Sequence, residues 1–131
     1  EPLARYGHYL GMAFQMADDL LDYTETEAVT GKPTGHDLRE HKVTLPLIAA
    51  LAAMDDVHRR EVEQFFADPA PTDDAIAYIV SLVREYGGLD YARRHAEEYA
   101  ARAAEALATL PESEATEALR DAISYVIDRR R

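Results

Sequence analysis

Residues Phe14 to Pro46 read FQMADDLLDYTETEAVTGKPTGHDLREHKVTLP, and this stretch decides how the rest of the chain is read. Gln15 is followed by Asp18, Asp19 and Asp22, then by a polar segment with Lys32, Asp37 and Lys42, then by Thr44-Leu45-Pro46. On a helix advancing about 100° per residue, Gln15 and the three aspartates share an arc of about 100°. Tyr6, Leu10, Phe14, Ala17 and Leu21 lie on the opposite side, so the helix is amphipathic.

Acids on the polar face of a surface helix are ordinary, but the charge pattern here is not. No Lys or Arg occurs between Arg5 and Lys32, and Glu25 and Glu27 extend the acidic run. Solvated faces usually mix signs, because opposite charges four residues apart help and like charges cost. Asp18 and Asp22 are such a like pair, with no cation near them in sequence. A bound positive group would account for the cluster. Hard oxygen donors, with no cysteine and no well-spaced histidines, suit magnesium better than zinc. Magnesium takes one or two carboxylates and completes its shell with water and substrate phosphates. Lys32 and Lys42 are then either point charges for those phosphates or plain surface lysines.

The pattern FQ-x-x-DD-x-x-D, followed by GK-P-x-G-x-DL and K-x-TLP, resembles the second aspartate-rich region of the trans-isoprenyl diphosphate synthases, the polyprenyl synthetase family. Gly87-Gly88-x-x-Tyr91-Ala92 and the alanine-rich run to Leu110-Pro111 are similar to the family's C-terminal part, so the resemblance covers most of the chain. One departure is His41, where the family usually has glycine before the lysine. The spacing from Lys32 to Asp37 varies by one in the family.

The resemblance implies an all-α fold: residues 1–131 would be the C-terminal helical bundle segment of a single type I isoprenoid synthase domain. It implies transfer of an allylic diphosphate's prenyl group to isopentenyl diphosphate, with Mg2+ as cofactor and release of diphosphate. Asp18, Asp19 and Asp22 would be the metal ligands. Gln15, Lys32, Asp37 and Lys42 would bind substrate, with Asp18, Lys32 and Lys42 carrying the catalysis. The enzyme would be a cytoplasmic homodimer. Two alternatives stay open: a non-catalytic partner subunit of a heteromeric prenyl synthase, and an acidic helical module that binds a basic partner.

The remaining sequence agrees with an all-helical chain. Acids outnumber bases 25 to 14, for a net charge of −11, which argues against a nucleic-acid binder. The longest apolar run, Leu45 to Met54, is too short to span a membrane. Helix one is expected over about Leu3 to Tyr23, and Thr24 to Val43 as a glycine-bearing loop acting as a lid. Thr44 would cap a second helix buried through Leu47, Ile48 and Leu51. A third would carry Val62, Phe65 and Phe66. Thr72 would cap a fourth, buried through Ile76, Ile79, Val80 and Val83 and stopped by Gly87-Gly88. Helix five, from Leu89 to about Leu110, repeats apolar residues in steps of three and four. Helix six would carry Leu119, Ala122, Ile123 and Val126. Arg129–Arg131 then suit its C-terminal dipole, or reach the diphosphate site.

The family's first aspartate-rich region has no match in these residues. The other aspartate doublets, Asp55-Asp56 and Asp73-Asp74, do not continue its pattern. The 131-residue chain alone is therefore expected to be inactive. Supplied with an allylic diphosphate, isopentenyl diphosphate and magnesium, it should elongate no prenyl chain. Turnover on the order of 1 per second would show that the expectation misjudges what the segment lacks.

Overall fold

The computed structural model describes residues 1–24 and 35–128. Seven helices are described: α1 (Pro2–Thr24), α2 (His36–Arg39), α3 (Leu45–Ala53), α4 (Asp56–Ala67), α5 (Asp73–Glu85), α6 (Gly88–Ala108) and α7 (Glu114–Asp128). No strand occurs among the described residues, so the fold is all-α. No helix among them is long and apolar enough to cross a membrane. The chain divides into two compact units, residues 1–18 with 93–131 and residues 19–92.

In the first unit the core is built largely from small residues. Ala13 and Ala17 of α1 and Ala100, Ala103 and Leu107 of α6 are buried with Ile123 and Val126 of α7. Alanine adds no rotamer cost and lets backbones approach closely. Tyr6 is buried here as well, and its hydroxyl donates to the Leu119 carbonyl at 2.8 Å. Ser113 starts α7 by accepting from the Thr116 amide at 3.1 Å, the N-cap geometry that satisfies an otherwise unpaired donor.

The second unit is centred on α5, whose Ile76, Ile79, Leu82 and Val83 are all fully enclosed. Thr72 caps this helix by accepting from Ala75 N at 3.1 Å. Asp55 caps α4 by accepting from His58 N at 2.8 Å. Thr44 stands at the N-cap of α3, but its side chain makes no cap bond. Tyr86-Gly87 separates α5 from α6, which opens at Gly88. A Cβ on Gly88 would lie 2.2 Å from the Pro46 carbonyl oxygen and 2.9 Å from Val83 Cγ1. Only glycine admits that approach of α3.

The structure corrects three details of the sequence reading. Residues 36–39 form α2, where one continuous loop was expected. Phe14 is 43% exposed, because the buried stripe of α1 runs through Ala13, Ala17, Leu20 and Tyr23 and leaves Phe14 on its flank. Ile48 is 52% exposed, because Pro46, Leu47 and Ala50 face the core of the second unit.

Replacing Gly88 by alanine is expected to destabilise the chain by about 2 kcal/mol or more, since rigid backbone must move. Urea unfolding of the two proteins measures this, and equal midpoints would contradict the close approach.

Candidate functional site

Gln15, Asp18, Asp19 and Asp22 all lie on α1. Gln15 and Asp18 are exposed, whereas Asp19 and Asp22 are half-buried. Burial of Asp22 has a specific cause. Its Oδ1 accepts from His36 N and its Oδ2 from Asp37 N, both at 3.0 Å. Its carbonyl also accepts from Gly35 N at 2.9 Å. The last turn of α1 thus clips the start of α2. Gly35, at the N-cap of α2, has no side chain with which to cap. At φ 81° it stands in the left-handed region that favours glycine, and a Cβ there would lie 2.7 Å from Ile76 Cγ2.

The clip brings candidate residues together. Asp37 stands at the start of α2 with its side chain mostly covered, and Lys42 Nζ lies 3.9 Å from its Oδ1. Lys42 itself is exposed. Lys32 lies outside the described residues, as does the 25–34 part of the expected lid.

The electrostatics reflect this packing. Burial pushes the Asp22 carboxyl above the ordinary aspartate range, and the negative charge of Asp37 adds to the rise. The two backbone amides oppose it without cancelling it. Beside it, burial raises the Tyr23 phenol far above its usual value, so Tyr23 is neutral. The buried hydroxyls of Tyr23 and Thr44 face each other, and neither has another hydrogen-bond partner among the described residues.

No group of three or more His, Cys, Asp or Glu side chains arranged to hold a metal ion occurs among the described residues. The oxygens of Asp22 are already engaged by amides. A magnesium ion, which needs one or two carboxylates and finds the rest in water and phosphate, is compatible with this donor set. A closed zinc site is not. The role of Asp22 as clip for α2 was missed from sequence. Its signal was Gly35-His36-Asp37, a helix start without a local capping side chain.

The sequence model of the family described as Polyprenyl synthetase matches residues 1–83. The chain belongs to this family. The All-trans-nonaprenyl-diphosphate synthase (geranyl-diphosphate specific) of Rhodobacter capsulatus is 38% identical over 129 residues, covering 98% of this chain and 39% of that protein. The Octaprenyl diphosphate synthase of Haemophilus influenzae is 39% identical over 131 residues, covering 97% and 38% respectively. Among solved structures, the polyprenyl synthase from Caulobacter crescentus CB15 complexed with calcium and isoprenyl diphosphate superposes with a TM-score of 0.89 at 36% identity. That match covers all of this chain and 40% of the other. The polyprenyl synthetase segment described here therefore spans about two fifths of the length of these relatives.

The raised Asp22 value has a sign that can be tested. The folded state holds this proton more tightly than the unfolded state. The corresponding stability is present below the ordinary aspartate range and is lost as pH rises through the folded value. Asp22→Asn cannot titrate. Its stability deficit relative to the parent should therefore be smaller at neutral pH than at the acid end. Urea unfolding of both proteins at two pH values measures the difference, and a deficit that grows with pH would contradict the effect of burial.

Proposed function

We propose that this chain is the part of a trans-prenyltransferase that presents one aspartate-rich helix and its accompanying lysines to an allylic diphosphate. The observation that carries the reading is the assembly at the end of α1. There an acidic helix is clipped through Asp22 to the turn bearing Asp37 and Lys42. Isolated like charges on a helix are unfavourable, and a cation-bridged anionic ligand relieves them.

The reaction transfers a prenyl group. The carbon–oxygen bond of the allylic diphosphate breaks, leaving an allylic cation and inorganic diphosphate. The double bond of isopentenyl diphosphate attacks the cation, and loss of a proton yields a chain one isoprene unit longer. Lys42, with Lys32, donates to the diphosphate oxygens, where negative charge grows as the bond breaks. Asp37 orients Lys42. Gln15 donates to substrate or to a bound water. Magnesium would be held by Asp18, with Asp19 and Asp22 acting directly or through water, and would supply charge stabilisation of the leaving diphosphate.

The calcium and isoprenyl diphosphate in the Caulobacter crescentus complex support a divalent cation and a diphosphate substrate. Retention of Asp18, Asp19, Asp22, Lys32 and Lys42 disfavours a non-catalytic subunit, which has no need of them. The whole enzyme is read as a cytoplasmic homodimer from the family resemblance.

In an intact synthase carrying this segment, Asp18→Asn should keep its helix content, because the substitution leaves the buried stripe of α1 untouched. Turnover should fall on the order of 100-fold or more. Circular dichroism and steady-state kinetics over a magnesium series check both points. Near-normal turnover with unchanged magnesium dependence would remove Asp18 from the metal site.

A further inference from the structure

We propose that His41 is a positioning residue for Lys42, anchoring the turn that presents the lysine to helix α4; the proposal rests on the reading of Lys42 as a diphosphate contact. Three observations converge on His41.

The first is the backbone. His41 has φ 58°, and it is the only non-glycine residue described in the left-handed region. His41 N donates to the Leu38 carbonyl at 2.9 Å, and Lys42 N donates to the Asp37 carbonyl at 2.7 Å. These are the two bonds of a Schellman ending to α2, with His41 at the position that glycine occupies without steric cost.

The second is the ring. The imidazole stands edge-on to Phe65, with centroids 5.9 Å apart and planes at 81°. It lies against Phe66 at 5.6 Å and 53°. Phe65 and Phe66 are themselves edge-to-face at 5.3 Å. The three rings form one cluster, in arrangements that aromatic quadrupoles favour. Both phenylalanines belong to α4, so the ring ties the end of α2 to a different helix.

The third is Nε2, which is buried and has no hydrogen-bond partner among the described residues. A left-handed side chain and an unmet buried nitrogen each cost free energy that glycine at this position would not incur. Such a pair of costs persists where the side chain holds something in place. The next residue in the chain is Lys42, whose amide is fixed to Asp37 and whose Nζ is 3.9 Å from the Asp37 carboxylate. Asp22 fixes the start of this turn, and the His41 ring fixes its end.

The alternative is that the ring only fills space. Glycine and asparagine both accept the left-handed region, so either would then serve equally well. The test uses an intact synthase carrying this segment, with His41→Gly, His41→Asn, Lys42→Ala and the double variant His41→Gly/Lys42→Ala. Amide exchange at Lys42 and Val43 should accelerate about tenfold or more in the Gly and Asn variants, with α5 unchanged. Their KM for the allylic diphosphate should rise about fivefold, by more than kcat falls. His41→Phe, which keeps a ring, should recover part of both changes. The double variant should be no worse than Lys42→Ala, because His41 acts through the lysine.

Native exchange and native KM in both the Gly and Asn variants would overturn the proposal. A double variant with fully additive losses would overturn it too, because His41 would then act on substrate by another route. Accelerated exchange with unmoved KM in every variant, Lys42→Ala included, would retire Lys42 as a diphosphate contact while upholding the anchor.

Discussion

The arrangement of the candidate site depends on one carboxylate. Asp22 accepts two amide protons from the start of α2, and its own carbonyl accepts a third from Gly35. A four-residue helix has too few internal hydrogen bonds to persist by itself. Its donors are met from outside, by the last turn of α1. Buried Leu38 holds the other face of the short helix in the core of the second unit. The position of the Asp37–Lys42 turn is thus set by interactions on both sides of it.

This clip carries an electrostatic consequence. Placing Asp22 against protein backbone removes water from it and sets it near Asp37, and both effects disfavour its charge. Two amide donors only partly compensate. Lys42 lies close to Asp37, so the pair is balanced locally while Asp22 is not. An arrangement that is poorly matched to solvent can be well matched to a ligand. Perturbed groups gather at functional sites for that reason, although structural networks perturb them too.

Much of the fold was legible in the sequence because its signals were local. Thr72 with Asp73-Asp74 marked the start of α5, and the spacing of Ile76, Ile79, Val80 and Val83 marked its buried face. Alanines at 92, 96 and 103 marked the buried stripe of α6. The failures were all non-local. Helix α2 has no periodicity to read, and its cap comes from a residue fourteen positions earlier. Phe14 and Ile48 looked apolar enough for the core, but burial depends on which neighbours the helix meets, and Ala13 and Ala17 in α1 and Leu47 and Ala50 in α3 took the enclosed positions. In the site, the residue types were legible from the family pattern. That Asp22 also serves as a helix cap was not, because no sequence spacing encodes a hydrogen bond across a turn of chain.

Where local rules are broken points the same way from the other side. Among the described residues, His41 Nε2 is buried without a hydrogen-bond partner, and the buried hydroxyls of Tyr23 and Thr44 have only each other. Tyr23 adjoins Asp22, His41 adjoins Lys42, and Thr44 stands two residues beyond Lys42 at the head of α3. The one left-handed non-glycine residue among those described is also His41. Elsewhere in the second unit the accounting is conventional, with capped helices at Asp55 and Thr72 and an apolar core. Unmet polar groups and backbone strain both lower stability, and folding alone gives no reason for them to collect around one turn. Their gathering beside Asp22 and Lys42 is what a segment organised around holding a ligand would retain.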